Sequence, residues 1–231
     1  MTQAGDAPSR PLLVVTDLMG TTLRDDGAVL PAYRAAFAEY SIPFTEEELS
    51  ARRGAHKQSL FREFAARQYD AERAPGIAAA SLAAFERHLR DFIARGATEI
   101  PGARAAVTRM RDAGIAVALT SGFDRGLIAD IVARCGWGDL FDAVVSPDEV
   151  PAGRPAPYLI FQAMQKLGVH AVARVAVIGD TALDLEAGSN AGAGWVVGVL
   201  SGAHDVSVLG RTRHTHLLPS IAELPALFGI G

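Results

Sequence analysis

The chain has 231 residues, of which 49% are hydrophobic and 21% are charged, and its formal net charge is −4. This length and apolar content are enough to bury a sizeable core in one domain with an insertion, or in two small domains. The acidic balance and the absence of any long Lys or Arg run exclude nucleic acid and membrane surfaces as expected partners.

The single cysteine, Cys135, rules out an internal disulfide and favours a reducing compartment. Residues 1–9 contain no apolar stretch typical of a signal peptide, and we expect them to form a flexible tail. No apolar run is long enough to span a bilayer. These features predict a soluble, cytoplasmic protein.

The first predicted element is a buried strand, Leu12 to Asp17, which ends in an aspartate and runs into a glycine-threonine turn. A strand end of this kind presents a carboxylate at the edge of an α/β sheet, where ligands usually bind. Met19 follows two positions later and has no titratable proton. If Asp17 attacks phosphorus, the leaving group must therefore be activated in some way that does not use an acid at position 19.

The next stretch, from about residue 28 to residue 99, is predicted to contain helices only. Tyr33, Phe37 and Tyr40 share one helical face, and Thr45 to Glu48 forms a capping-box pattern. An all-helical insert after the first strand of an α/β sheet predicts a cap over the strand ends. We expect the hinges at Asp25-Asp26-Gly27 and near residues 98–102.

From about Pro101 onward, valine-rich strands alternate with helical segments, which predicts a doubly wound parallel sheet of the Rossmann-like α/β class. The predicted strands are residues 115–120, 142–146, 174–179 and 195–199. The predicted helices are residues 102–113, 125–135, 156–167 and 183–191. We therefore expect an α/β core domain of residues 10–27 and 100–231, and a helical cap domain of residues 28–99.

Polar side chains follow four of the predicted strands. They are Asp17; Thr120, Ser121 and Gly122; Arg154; and Asp180 and Asp184. Because the carboxyl ends of parallel strands converge on one crevice, these groups are expected to meet there. Together they offer a nucleophile, a hydroxyl and a cation for phosphate oxygens, and acids for Mg²⁺, which is the set that phosphoryl transfer needs.

These motifs, in this order, resemble the haloacid dehalogenase-like hydrolase superfamily over nearly the whole chain. TSGFDR, VPAGRPAP and GDTALDLEAGSNAGAG resemble its phosphonoacetaldehyde hydrolase (phosphonatase) branch, in which alanine usually occupies the position of Met19. The branch also carries a cap segment Gly-x-x-Lys, present here as Gly54 to Lys57. The resemblance implies that Lys57 forms an imine with a substrate aldehyde, so that cleavage of the carbon–phosphorus bond leaves an enamine.

The resemblance also implies the site residues and partners. The expected catalytic residues are Asp17, Lys57, Thr120 and Arg154; the substrate-binding residues are Thr21, Ser121, Gly122 and Arg154; and the Mg²⁺ ligands are Asp17, the backbone carbonyl of Met19, Asp180 and Asp184. The expected substrate is a small phosphonate or phosphorylated molecule. A homodimer joined through the caps is implied, and the Tyr33/Phe37/Tyr40 face either forms that contact or packs inside the cap.

Two positions depart from the branch. Met19 stands where the branch usually has alanine, and Leu60 stands where a histidine is expected three residues after the lysine. This leaves alternatives open. The first is a phosphomonoesterase of the same fold that acts on substrates with good leaving groups. The second is a haloacid dehalogenase, against which Asp180 and Asp184 argue because that reaction needs no metal. The third is a catalytically silent binder of a phosphorylated ligand, against which the retention of Asp17 and both later acids argues.

Overall fold

The computed structural model of the protein describes residues 10–231, so the predicted flexible tail of residues 1–9 lies outside the described part. Six parallel strands form one sheet: β1 (Leu13–Asp17), β2 (Ala116–Thr120), β3 (Ala143–Val145), β4 (Val175–Gly179), β5 (Trp195–Val199) and β6 (His216–Leu218). The predicted doubly wound parallel sheet is confirmed. Each strand predicted from the sequence is shortened by no more than one residue at either end.

Four helices lie between β1 and β2: α1 (Val29–Glu39), α2 (Glu46–Ala51), α3 (Lys57–Gln68) and α4 (Ala74–Gly96). The remaining helices are α5 (Ala103–Asp112), α6 (Arg125–Arg134), α7 (Tyr158–Lys166), α8 (Ala182–Ala191), α9 (Val206–Leu209) and α10 (Leu224–Leu227). Short 3₁₀ turns occur at Pro147–Glu149, Val172–Arg174 and Ile221–Glu223. The capping box predicted at Thr45 is present, because its side chain accepts from the Glu48 amide and Glu48 accepts from the Thr45 amide.

Alternation along the strands divides the core between the two faces of the sheet. Leu13 and Val15 point to the face covered by α7 and α8, and Val14 points to the face covered by α5. Both faces are buried, which is why the strands read as nearly continuous apolar runs.

The strand order β3-β2-β1-β4-β5-β6 sets the position of the site. The central strand β1 pairs with β2 on one side and with β4 on the other, and Asp17 lies opposite Thr120. The chain therefore moves away from β1 in opposite directions before and after β3. The crevice at this switch point is where an open α/β sheet binds its ligand.

The helices between β1 and β2 share an aromatic cluster of Tyr33, Phe37, Phe61, Phe64 and Phe85, whose ring centroids lie 4.5–6.0 Å apart. Tyr33 and Phe37 are only 1% and 0% exposed. The face was expected either to form a dimer contact or to pack among the helices. Tyr33 and Phe37 pack among the helices. The homodimer stays a prediction that rests on the resemblance.

The two segments that connect this helical region to the sheet run side by side. The Arg24 amide donates to the Thr98 carbonyl (2.8 Å), and the Ile100 amide donates to the Thr22 carbonyl (3.0 Å). Asp26 and Gly27 adopt positive φ angles of 42° and 75°. The domain boundaries stay a prediction. Within residues 10–231, no helix has both the length and the apolar character needed to cross a membrane.

The aromatic cluster should contribute strongly to the free energy of unfolding. Phe61 is fully buried among three other rings, so Phe61→Ala should lower the free energy of unfolding by about 3–5 kcal/mol. The measurement is urea denaturation followed by circular dichroism. Phe161→Ala, at a ring that is 41% exposed, is the matched control and should stay within about 0.5 kcal/mol of the parent. Equal losses in the two variants would contradict the observed packing.

Candidate active site

Three carboxylates meet at the carboxyl end of β1 and β4. Asp17 is the last residue of β1, Asp180 directly follows β4, and Asp184 lies in the first turn of α8. Each offers an oxygen that lies within 4.8 Å of the others, and all three side chains are buried. Gly20 and Gly202 make room for Asp180, because a Cβ on either would lie 2.0–2.2 Å from its Oδ2.

Crowding of buried acids disturbs their titration. Burial raises the pKa of Asp17 to about 6, although the Arg154 charge lowers it. Burial also raises the pKa of Asp180 well above its usual range, and the charges of Asp17 and Asp184 add to that rise. A divalent cation would relieve this repulsion. Because the three side chains supply only carboxylate oxygens, the cluster fits a hard cation such as Mg²⁺.

The buried guanidinium of Arg154 is the cation in contact with these acids. Its Nη1 lies 2.5 Å from Asp17 Oδ1 and 2.7 Å from Asp184 Oδ1. Its Nη2 donates to Thr120 Oγ1 at 2.7 Å. Four predicted site residues are therefore joined directly by one side chain, across β1, β2, α8 and the loop before α7.

Lys57 reaches the site from the helical region. It is the first residue of α3, and its backbone amide donates to the Gly122 carbonyl in the loop after β2. Its side chain is buried, and Nζ donates to the Ala55 carbonyl at 2.8 Å. Burial lowers the pKa of Lys57 to about 8; Asp17 opposes this, and Arg154 and Arg53 contribute to it. A buried lysine with such a pKa can supply a neutral amine near neutral pH.

One cavity is lined by Asp17, Lys57, Met19 and Asp180. Thr120, Arg154 and Asp184 do not line this cavity but a separate space. The cavity therefore brings together a carboxylate that can attack and an amine that can add to a carbonyl. Met19 places an apolar side chain where an acid would otherwise stand.

Close glycine contacts hold the Lys57 segment against the sheet. A Cβ on Gly122 would lie 2.5 Å from the Ala55 carbonyl oxygen, and one on Gly153 would lie 2.6 Å from the His56 Cβ. Gly54 has φ +83°, and a Cβ there would meet Thr181 Oγ1 at 2.5 Å. These contacts leave no room for side chains, so they fix the position of Lys57 relative to the strand ends.

Three predicted substrate-binding residues occupy different environments. Thr21 is fully buried, and its hydroxyl donates to Asp180 Oδ1 at 3.2 Å. Ser121 and Gly122 line the cavity, and Ser121 Oγ accepts from the Phe123 amide at 3.3 Å. Gly122 also supplies the carbonyl that binds the Lys57 amide. The substrate-binding roles of these three residues stay predictions.

Asp25 and Arg53 also line the cavity, although neither is among the predicted site residues. Arg53 Nη2 forms an ion pair with Asp25 Oδ2. Of the two arginines that precede Lys57, Arg53 contributes to lowering the pKa of Lys57, whereas Arg52 binds Glu63 at 2.7 and 2.8 Å. Asp25 was assigned only to a hinge. The sequence contains one indication for each residue: Asp25 lies close to Met19 in the chain, and Arg53 lies close to Lys57.

Comparison with known proteins agrees with this geometry. The protein-family model for the haloacid dehalogenase-like hydrolase matches residues 12–192. A phosphonoacetaldehyde hydrolase from Bacillus cytotoxicus is 36% identical over 141 residues, which is 60% of this chain and 53% of that protein. The chain thus matches about half the length of this relative.

Two solved structures share the fold. A hydrolase from Pseudomonas syringae superposes with a TM-score of 0.80 at 20% identity, covering 95% of this chain and 99% of that one. A phosphonoacetaldehyde hydrolase-like protein from Oleispira antarctica gives a TM-score of 0.80 at 19% identity, covering 99% and 95%. The family match spans both the acid cluster and the Lys57 segment, and the chain belongs to the haloacid dehalogenase-like hydrolase family.

Proposed function

We propose that this protein is a Mg²⁺-dependent hydrolase that cleaves the carbon–phosphorus bond of phosphonoacetaldehyde or a related phosphonate aldehyde. The observation that carries the proposal is the buried Lys57 amine, which shares one cavity with the Asp17 carboxylate and with the apolar Met19. The relative at 36% identity is named a phosphonoacetaldehyde hydrolase, which supports the same substrate class.

The amine acts first. Neutral Lys57 adds to the aldehyde carbon, and loss of water gives an imine that becomes protonated. The protonated imine lies one bond from the carbon that carries phosphorus, so it accepts the electron pair when the carbon–phosphorus bond breaks. An oxygen-protonating acid would not help a carbon leaving group, which accounts for a methionine at position 19.

The carboxylate of Asp17 then attacks phosphorus and takes the phosphoryl group, and the bonding electrons pass to the enamine of Lys57. Protonation of the enamine carbon followed by hydrolysis releases acetaldehyde and the free amine. Water hydrolyses the aspartyl-phosphate to inorganic phosphate. Arg154 orients Asp17 through the 2.5 Å contact and, with Thr120, lies where it can stabilise charge on the phosphoryl oxygens.

The carboxylates of Asp17, Asp180 and Asp184 and the backbone carbonyl of Met19 would hold the metal ion. When bound, Mg²⁺ would neutralise negative charge on the acids and on the phosphoryl oxygens. The raised pKa values of Asp17 (about 6) and Asp180 support this assignment, because a cation restores their charged forms at neutral pH.

The second candidate is a phosphomonoesterase. Asp17, Arg154 and the acid cluster form a phosphoryl-transfer site whose contacts do not involve Lys57. Such a site would act on esters whose leaving group needs no protonation, because Met19 donates no proton. The cytoplasmic location and the homodimer remain predictions.

Titration of Lys57 tests the amine directly. Because burial disfavours the ammonium form, the neutral amine should appear with a midpoint near pH 8 instead of 10.5. The measurement is pH-dependent labelling with an amine reagent in the presence of a chelator, read by mass spectrometry, with Lys166, the other lysine of the chain, as internal reference. Asp17→Asn should move the midpoint lower, because the Asp17 charge holds it up. A midpoint above pH 10 would refute the assignment.

Substitution of Lys57 separates the two candidate functions. Lys57→Arg keeps a positive charge but cannot form an imine, so phosphate release from phosphonoacetaldehyde should be lost. Hydrolysis of an activated aryl phosphate should persist in this variant. Asp17→Asn should abolish both activities, and a chelator should do the same in the parent. If Lys57→Arg still releases phosphate from the aldehyde, the imine is wrong. If the parent releases no phosphate from the aldehyde but hydrolyses the aryl phosphate, the phosphomonoesterase is favoured.

Position 19 tests how the leaving group is activated. Met19→Asp places a proton donor beside the cavity, and it should raise the hydrolysis of an alkyl phosphomonoester by about 10²–10⁴-fold, the usual effect of general acid catalysis. Met19→Leu is the matched control, since it changes shape without adding a proton. Equal rates in the two variants would show that Met19 does not occupy the leaving-group side.

A further inference from the structure

The phenol of Tyr33 is an unexplained polar group next to the proposed imine site. Its ring lies in the aromatic cluster of the cap, and the residue is 1% exposed. Among the described residues 10–231, Tyr33 Oη is the buried side-chain oxygen or nitrogen that has no hydrogen-bond partner. Buried hydroxyls nearly always have a partner, so this one calls for a ligand that completes it.

The location of Tyr33 points to Lys57. Lys57 Nζ lies over the Tyr33 ring at 5.8 Å from its centroid, and over the Phe123 ring at 5.2 Å from its centroid. Val29, one helical turn before Tyr33 on α1, lines the cavity that holds Lys57. Two rings therefore lie within 6 Å of the amine, and of these two only Tyr33 carries a hydroxyl.

Two other hydroxyls line the cavity that holds this amine, and both already have partners. Thr181 Oγ1 donates to Asp184 Oδ2 at 2.5 Å, and Ser121 Oγ accepts from the Phe123 amide at 3.3 Å. Among the described residues, the buried hydroxyl without any partner is that of Tyr33.

The side chains of Met19 and Phe123 have no hydrogen-bond donor. The Asp17 and Asp180 carboxylates accept hydrogen bonds when they are ionised. Leu60 is packed in the core. An aldehyde that adds Nζ develops negative charge on its oxygen, and that oxygen needs a donor.

We propose that the Tyr33 hydroxyl donates a hydrogen bond to the carbonyl oxygen of the aldehyde substrate while Lys57 adds to its carbon. This inference rests on the proposed function. The Nζ–carbon bond forms and the carbonyl π pair moves to oxygen, which Tyr33 stabilises. The oxygen takes up both amine protons and leaves as water, and the imine nitrogen gains a proton from solvent.

The raised pKa of the Tyr33 hydroxyl favours its role as a hydrogen-bond donor. Burial raises the pKa of Tyr33 far above its ordinary value, and the opposing charge of Arg53 does not reverse that rise. The hydroxyl therefore keeps its proton across the working range. It acts as a hydrogen-bond donor and not as an acid that is consumed.

The test is Tyr33→Phe, which keeps the ring and removes only the hydroxyl. Tyr40→Phe, at the C-terminal end of the same helix, is the matched control. Each purified variant is mixed with phosphonoacetaldehyde, and the adduct is trapped on Lys57 with borohydride and counted by mass spectrometry. Because the chain holds only two lysines, the adduct is assigned without ambiguity.

We expect Tyr33→Phe to slow trapping and lower kcat/KM for the aldehyde by roughly 10²-fold, the usual effect of losing one preorganised donor. Its thermal midpoint should match or exceed that of the parent, because no hydrogen bond is lost. Tyr40→Phe should trap at the parent rate. Trapping by Tyr33→Phe at the parent rate, or a marked fall in its thermal midpoint, would overturn the inference alone. No adduct in the parent protein would overturn the proposed function and this inference together.

Discussion

The contact of the Arg154 guanidinium with two buried carboxylates is the interaction on which the site depends. Arg154 binds Asp17 and Asp184 at 2.5 and 2.7 Å and also holds Thr120. Burial raises the pKa of Asp17, and the Arg154 charge opposes that rise. Removing one partner of such a buried pair typically costs about 3–5 kcal/mol, because the other charge is left uncompensated. The fold therefore tolerates three buried acids because one cation is fixed among them.

The helical region contributes a second buried charge from the opposite side. Lys57 stands at the start of α3, and the contacts at Gly54, Gly122 and Gly153 seat its segment on the loops after the strands. Burial lowers the pKa of its amine to about 8, while the nearby Asp17 charge limits the fall. The same proximity that places Lys57 beside the nucleophile thus also sets how much neutral amine is present. The packing that positions the Lys57 amine therefore also sets its protonation.

The role of Met19 depends on the proximity of Lys57 to Asp17. With an acid at position 19, the cavity would contain a fourth carboxyl group beside three that already repel one another. With methionine there, the cavity favours leaving groups that need no proton on oxygen. In the proposed function, an imine on Lys57 would activate a carbon leaving group, which Met19 cannot do. The hydroxyl of Tyr33, which has no hydrogen-bond partner and whose ring centroid lies 5.8 Å from Lys57 Nζ, would then donate to the aldehyde oxygen.

The amino-acid sequence alone determined the strands, the parallel sheet, the helical insert and the group of acids around Asp17. These follow from valine-rich runs, caps and the rule that parallel strand ends converge, all of which are local or periodic. Only the tertiary structure decided which side chains lie near the amine. Tyr33, Arg53 and Phe123 come from α1, the α2–α3 loop and the loop after β2, and they meet through side-chain packing between elements. Such packing has no repeating backbone geometry, so no pattern in the chain announces it.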